Sequence, residues 1–348
     1  MTTRDNRARS DKPLRIGLIA DGEQLPGLAT ALRRPSLNVV AQGGMRQSDA
    51  LPEIPWHDDI RVLVAQAEID ALVLAASTRG NREMTRHALA RGVHLLRTAP
   101  LARSFALAIE EAGLAKASSA VYRVQSHWRH IADDVRWALG LTPGFRPQYC
   151  EMRVAAPGPA LQSWRSSESD SAGGVLAVDG YGLLEAWLAT RGLTENVIAR
   201  VGSCRRRVAE PARETEDIAL VMMRDPDGVP GLIRAMWDIE PYESELALHG
   251  VEASVIISAS AVRVRLADQT QLDARPTASP EDCLRAEITQ FEAAVRRQLG
   301  GEPAGGDPQL PLHLAGSALL ETIYLSARTN QPESPKKLYE VQGWPLPE

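Results

Sequence analysis

The chain has 348 residues, of which 44% are hydrophobic and 24% charged, with a formal net charge of −5. That length exceeds one ordinary core and suits two domains of about 100–200 residues each. The mild acidity leaves no basic excess to argue for nucleic acid or an anionic membrane surface as partner. Three cysteines, Cys150, Cys204 and Cys283, stand far apart with neither a CxxC spacing nor the even count of a disulfide framework, and they read as reduced thiols.

Residues 1–13 are polar and of mixed charge, a flexible tail without the apolar stretch of a signal peptide. No window approaches the ~20 apolar residues of a membrane helix, so the cytoplasm is the expected location. Leu14-Arg15-Ile16-Gly17-Leu18-Ile19-Ala20 is a short apolar run ending in Asp21-Gly22, a buried strand feeding a tight turn. A first helix runs to Leu32. Strand signals follow at 37–41, 69–76, 93–96 and 121–124, and helical ones at 58–66, 81–91 and 104–117. Strands alternating with helices of about ten residues predict βαβ crossovers and a parallel sheet.

Beyond about Gln125 the rhythm changes. A helix over 131–139 is followed by strand-like segments at 148–155, 197–208, 217–224, 231–237, 245–249, 254–258 and 262–266. Asp225-Pro226-Asp227-Gly228 is a hairpin turn between two of them. Strands joined by hairpins favour a mostly antiparallel sheet, so the second half is expected to be α+β. A Pro/Gly-rich loop over 303–311 precedes a final long helix over 314–328.

Six segments, taken in order, resemble the Gfo/Idh/MocA oxidoreductases, the family of glucose-fructose oxidoreductase and inositol dehydrogenase. They are the first strand with its turn, Ile69-Asp70-Ala71-Leu72-Val73-Leu74-Ala75-Ala76, the stretch Ala88 through Leu96 that contains Gly92-Val93-His94, Trp164-Arg165 shortly before Gly173-Gly174, Leu248-His249-Gly250-Val251-Glu252-Ala253, and the stretch Leu319 through Ala327. The resemblance implies a Rossmann-like dinucleotide-binding domain over 14–125 and a substrate and oligomerisation domain over 126–348, with an open sheet that often forms a subunit interface. It also implies a homodimer or homotetramer. In such folds the ligand sits at the carboxyl ends of the parallel strands.

The dinucleotide fingerprint needs glycines for the tight turn, for close approach of the pyrophosphate and for packing of helix on sheet. Aligned on the turn, those places fall to Ala20, Gly22 and Leu25, so only the middle glycine is kept. Glu23 adds a negative charge near the expected seat of the pyrophosphate, against the attraction of a helix N-terminus for phosphate. At the end of the second strand, where an acid would meet the ribose of NAD, the chain has Gln42-Gly43-Gly44-Met45-Arg46. Arg46 is either a solvated surface arginine or a partner of the 2′-phosphate of NADP. Ser77 and Thr78, after the third strand, and Arg97, after the fourth, complete the expected cofactor contacts. The cofactor implied is NADP or NAD, or none if the degenerate turn has given it up.

In the family a catalytic lysine lies in a Glu-Lys-Pro segment, and here the corresponding residues are Thr98-Ala99-Pro100. Alanine carries no proton. Arg97 can position an anion but stays protonated and cannot relay a proton. The second family signature, an aspartate with a histidine four residues on, reads Asp179-Gly180-Tyr181-Gly182-Leu183-Leu184-Glu185. The histidine's place falls to Leu183, or to Gly182 with a one-residue deletion. The segment after the third strand, often Thr-Pro-Asn-x-x-His in the family, is Ala76-Ser77-Thr78-Arg79-Gly80-Asn81. Three departures in separate segments point to lost standard chemistry, since alcohol oxidation needs a group to take the hydroxyl proton as hydride leaves.

The residues left for that role are Asp179, Tyr181, Glu185 and His127. Trp128, Arg129, Trp164 and Arg165 would take a sugar or sugar acid, aromatic faces covering C–H groups and polar tips holding hydroxyls. Alternatives stay open: His127 and His130 also suit interdomain hydrogen bonds, Tyr181 helix packing and Glu185 a surface charge. His57, His87, His94, His249 and His313 show no metal-ligand spacing, and no metal is expected. Two functions compete: an NAD(P)-dependent oxidoreductase acting on a sugar or polyol with substitute catalytic residues, and a pseudo-oxidoreductase that binds a ligand or partner without redox turnover. Non-redox lyase or hydrolase chemistry with a bound cofactor also fits such a fold.

Overall fold

The apolar run at the start becomes β1 (Leu14–Ala20), a strand buried along nearly its whole length, as a strand covered on both faces must be. The computed structural model describes residues 12–20, 24–44, 51–125, 129–203, 213–268, 270–303 and 305–347. Around β1 lie β2 (Leu37–Gly43), β3 (Trp56–His57), β4 (Ala71–Ala75), β5 (His94–Thr98) and β6 (Tyr122–Gln125). Their order is β3-β2-β1-β4-β5-β6, with every pairing parallel. Parallel neighbours need crossover connections, and α1 (Leu25–Leu32), α2 (Ile60–Gln66), α3 (Thr78–Ala90) and α4 (Phe105–Ala117) supply them. Strand order reverses at β1, between β2 on one side and β4 on the other, which is the switch point where ligands bind in such sheets.

Contacts divide the chain into two units. The first comprises residues 1–101, 107–125 and 280–310, and the second 102–106, 126–279 and 311–348. The first unit therefore reclaims a helix, α8 (Pro280–Leu299), from a stretch that the sequence assigned wholly to the second domain. The physical reason is its apolar stripe. Leu284, Ile288, Phe291 and Val295 join one buried cluster with Leu25, Leu28 and Leu32 of α1. Arg34 bonds the Arg285 carbonyl (2.8 Å) and Arg296 the Ser36 carbonyl (2.8 Å).

The second unit holds an eight-stranded sheet among the described residues, in the order β14-β13-β12-β11-β7-β10-β9-β8. Its strands are β7 (Tyr149–Ala156), β8 (Asn196–Gly202), β9 (Ile218–Arg224), β10 (Pro230–Trp237), β11 (Glu243–His249), β12 (Ala253–Ser258), β13 (Ala261–Leu266) and β14 (Gln271–Pro276). All pairings are antiparallel except that of β7 with β10. The Asp225-to-Gly228 turn closes β9 onto β10 as its residues predict, with Gly228 at φ +86° and the Asp225 carboxylate accepting from the Val229 N–H (2.7 Å). Alternating burial along β9 and β10 packs one face and leaves the other open. The unit also contains α5 (Arg129–Leu141), a 3₁₀ turn at Trp164–Ser166, α6 (Val175–Val178), α7 (Tyr181–Arg191), α9 (Leu310–Thr329) and α10 (Pro335–Gln342). The fold class is α/β: a Rossmann-ordered parallel sheet with a second, mostly antiparallel open sheet. Among the described residues no helix is long and apolar enough to cross a membrane.

Candidate functional site

In the first unit, the carboxyl ends of β1, β4 and β5 meet small side chains and backbone. Ala20 is fully buried, and a Cβ on Gly44 would lie 2.3 Å from the Ala20 carbonyl oxygen, so the end of β2 closes directly over β1. Gln42, also buried, ties this end to the following segment by donating to the carbonyls of Leu51 (2.7 Å) and Ile54 (3.0 Å). Leu25, at the place of the third fingerprint glycine, points into the core it shares with α8. Ser77 caps α3 by accepting from the Gly80 N–H (3.0 Å), and Thr78 opens the helix and is buried. Asn81 stitches two strand ends together: its Oδ1 accepts from the Ala76 N–H (2.9 Å) and its Nδ2 donates to Thr98 Oγ1 (3.1 Å).

Arg97 corrects an expectation. Its side chain is 0% exposed, and Nη1 lies 2.5 Å from Glu111 Oε1. The guanidinium also donates to the carbonyls of Thr98 (3.0 Å), Pro100 (2.6 Å) and Leu101 (3.1 Å). Glu111 Oε1 accepts from the Tyr122 hydroxyl as well (2.6 Å). A guanidinium so enclosed braces the 98–101 loop from inside rather than reaching a cofactor phosphate. Burial and the neighbouring Glu111 charge push the Tyr122 phenol well above its ordinary range.

In the second unit, the Gly173-Gly174 turn owes its residues to Glu216 and Tyr324. A Cβ on Gly174 would lie 2.0 Å from the Glu216 carbonyl oxygen, and one on Gly173 1.8 Å from the Tyr324 hydroxyl. The Glu216 carboxylate accepts from the N–H groups of Gly174 (2.6 Å) and Leu176 (3.2 Å), at the start of α6, and from the Tyr324 hydroxyl (2.8 Å). Burial nonetheless raises its proton affinity above that of an ordinary glutamate. Neither residue was singled out from the sequence, where an isolated Glu and Tyr more than a hundred positions apart carry no local signal.

Asp179 caps the C-terminal end of α6 and is half-buried, and its Oδ2 accepts from the Trp237 indole N–H (2.6 Å). Trp237 ends β10, and the Arg213 guanidinium lies over its ring, 5.4 Å from the centroid. Arg213 in turn pairs with Asp217 (2.8 Å) and Asp238 (3.3 Å) and donates to the Pro159 carbonyl (2.8 Å). Trp164 and Arg165 form the 3₁₀ turn, stacked on each other at 5.7 Å and half-buried.

Tyr181 and Glu185, weighed as substitutes for the family's proton carriers or as helix packing and a surface charge, are both buried in the second unit, so Glu185 is no surface charge. Tyr181 is buried with its hydroxyl donated to the His313 carbonyl (3.3 Å), and Gly316 leaves room for its ring. Glu185 is buried beside His313, Oε1 lying 2.7 Å from Nδ1. Both contacts join α7 to α9. Gly22, Arg46, His127 and Trp128 lie outside the described residues, and Arg129 is placed by its backbone alone, as the first residue of α5. Among the described residues no three His, Cys, Asp or Glu side chains group to hold a metal ion.

No protein-family model matches this chain, and no curated protein matches it by sequence. Solved structures do match it in fold. A levoglucosan dehydrogenase in complex with NADH and levoglucosan superposes with a TM-score of 0.78 at 16% identity, covering 93% of this chain and 99% of that one. An oxidoreductase from Agrobacterium radiobacter in complex with NAD+, L-tartaric acid and magnesium gives 0.74 at 16%, covering 94% and 100%. Biliverdin reductase from Synechocystis, in complex with biliverdin and NADP+, gives 0.74 at 18%, covering 91% and 100%. The chain thus has, along almost its full length, the fold of nicotinamide-dinucleotide-binding oxidoreductases.

Proposed function

We propose that the protein is an NAD(P)-dependent oxidoreductase that acts on a hydroxyl of a sugar or polyol with non-standard catalytic residues. The observation that carries this is the carboxylate of Asp179, a signature residue that is kept and whose Oδ2 accepts from the Trp237 indole N–H. The dinucleotide fits the first unit as a group gripped mainly by backbone. The strand ends around Ala20, Gly44 and Ser77 carry little side-chain bulk. Ala20, Gly22, Ser77 and Thr78 would hold it, with Arg46 on the 2′-phosphate if the cofactor is NADP. When bound, it supplies the hydride acceptor or donor. Asp179, with His127, takes the hydroxyl proton; Trp164, Arg165, Trp128 and Arg129 bind the substrate. Self-association through the open face of the second sheet belongs to the same reading, as does a cytoplasmic location.

A second reading has its own support. Ala99 stands at the lysine's place, and Tyr181 and Glu185 are turned to packing, which favours a pseudo-oxidoreductase that binds without turnover. Thermal-shift and tryptophan-quenching titrations with NAD, NADH, NADP and NADPH, followed by hydride transfer across a sugar panel, separate the two. A ligand at a hundred times its Kd stabilises the native state by about 2.7 kcal/mol, a clear melting shift. Binding with turnover that Asp179→Ala abolishes supports the enzyme; binding without turnover supports the second reading; silence with all four dinucleotides removes the first.

A further inference from the structure

In the second unit a chain of contacts runs from Asp179 through Trp237 to Arg213. The indole N–H donates to Asp179 Oδ2 at 2.6 Å, a neutral donor on a carboxylate acceptor. Trp237 is 1% exposed, so its ring cannot rotate away without opening the core, and its backbone N–H is fixed by the Asp217 carbonyl (2.8 Å). Arg213 covers the ring face with its guanidinium, a favourable cation–π arrangement. Its own orientation is set by three partners, Asp217, Asp238 and the Pro159 carbonyl.

Asp238 adopts φ +60°, a left-handed conformation uncommon for a residue other than glycine. It is held there from both ends. Its N–H donates to the Ala156 carbonyl (2.9 Å), and its Oδ1 accepts from the Gly158 N–H (2.8 Å) while Oδ2 meets Arg213. Such a conformation persists only where the surroundings over-determine it. The purpose of the arrangement is legible in what it immobilises: a buried indole whose single donor is committed to one carboxylate.

We propose that Trp237 is a positioning residue for Asp179, its indole N–H fixing the carboxylate rotamer and Arg213, anchored by Asp217 and Asp238, fixing the indole. This rests on the reading of Asp179 as the proton acceptor, but its geometric part stands without turnover. A neutral donor held in place can orient a carboxylate without neutralising it. That suits a group that must receive a proton, and a misplacement of about 1 Å at such a group can cost about 100-fold in rate.

Two measurements on the full-length protein test it. With ¹⁵N-tryptophan labelling, the Trp237 indole N–H, assigned from Trp237→Phe, should resonate downfield in the wild type and move upfield in Asp179→Asn, where the charged acceptor is gone. A resonance indifferent to Asp179→Asn overturns the proposal, whatever the protein's activity. If the wild type transfers hydride, Trp237→Phe and Arg213→Met should each lower kcat, the first about 100-fold, with KM changed less than about threefold. Folding of each variant is checked by near-ultraviolet circular dichroism. A folded Trp237→Phe with unchanged kcat overturns the positioning role while the enzyme reading stands. If the wild type transfers no hydride, that reading fails, and the indole resonance alone decides whether the carboxylate is held as proposed.

Discussion

Arg97 and Glu111 face each other across 2.5 Å with 0% and 1% of their side chains exposed. Removing one partner of such a pair leaves the other charge uncompensated, a loss of about 3–5 kcal/mol, whereas replacing both with apolar groups is often neutral. Glu111→Ala should therefore lower the urea midpoint sharply, and the double variant Arg97→Met/Glu111→Leu should recover most of the loss. A double variant as unstable as the single one would show that the guanidinium's bonds to the loop carbonyls, not the ion pair, carry the stability.

His94 supplies a pH dependence whose sign follows from its bond. Its Nδ1 accepts from the Val121 N–H (3.0 Å), so the neutral ring carries its proton on Nε2. Burial lowers its pKa from the ordinary 6.5. A depressed folded value means the unfolded chain binds the proton first. The contribution is thus complete above about 6.5 and is lost as pH falls through the depressed folded value. Unfolding free energy measured from pH 8 to pH 5 should decline on the acid side in the wild type, and more gently in His94→Gln, whose amide oxygen can still accept from Val121.

Two glycines should respond to alanine in opposite directions. Gly174→Ala drives a Cβ to within 2.0 Å of the Glu216 carbonyl and should destabilise by at least about 1–3 kcal/mol, the range for overpacking. Gly113, inside α4, has nothing within 4 Å of an added Cβ, and Gly113→Ala should stabilise by about 0.4–1 kcal/mol. Thermal melts of the two variants read both signs; a neutral Gly174→Ala would mean that the backbone at Glu216 yields.

Leu25→Gly would restore the family's third glycine, yet it should not improve dinucleotide binding. Leu25 is fully buried among α1 and α8 side chains, and truncating such a leucine costs about 2–5 kcal/mol. The melting temperature should fall while the cofactor Kd, measured by fluorescence quenching, does not tighten. A tighter Kd would place Leu25 in the cofactor's way.

Ile198, Met222 and Leu232 stand opposite one another on β8, β9 and β10, and Met222 is 56% exposed. An apolar row on an open sheet face is the patch that self-association would cover. If the protein self-associates through this face, as proposed, Met222→Glu should sediment as a monomer where the wild type does not, with little change in melting temperature. An unchanged sedimentation coefficient would assign the face to solvent.

Local pattern carried much of this architecture. The 14–20 run and its successors at 71–75, 94–98 and 122–125 are strands because short, mostly apolar segments bounded by turns are buried along most of their length, and Asp225-to-Gly228 turns because its glycine takes φ +86° without a Cβ penalty. The Gly173-Gly174 and Trp164-Arg165 segments pointed to the fold only through the family resemblance; what requires the two glycines is the arrival of Glu216 and Tyr324. What local pattern does not contain is which distant residue arrives beside a given one. Whether Arg97 is a phosphate ligand or a buried brace depends on Glu111 and Tyr122 reaching it from α4 and β6. Tyr181 and Glu185 looked available until α9 brought His313 against them, and α8 looked like part of the second domain until its apolar stripe met α1. The bond from Trp237 to Asp179 spans 58 positions in the chain. Burial and pairing are properties of the packed interior, where charge and donor geometry are settled by neighbours that no window of sequence includes, and so tertiary structure alone decided which of the described candidate residues are enclosed and which partners they meet.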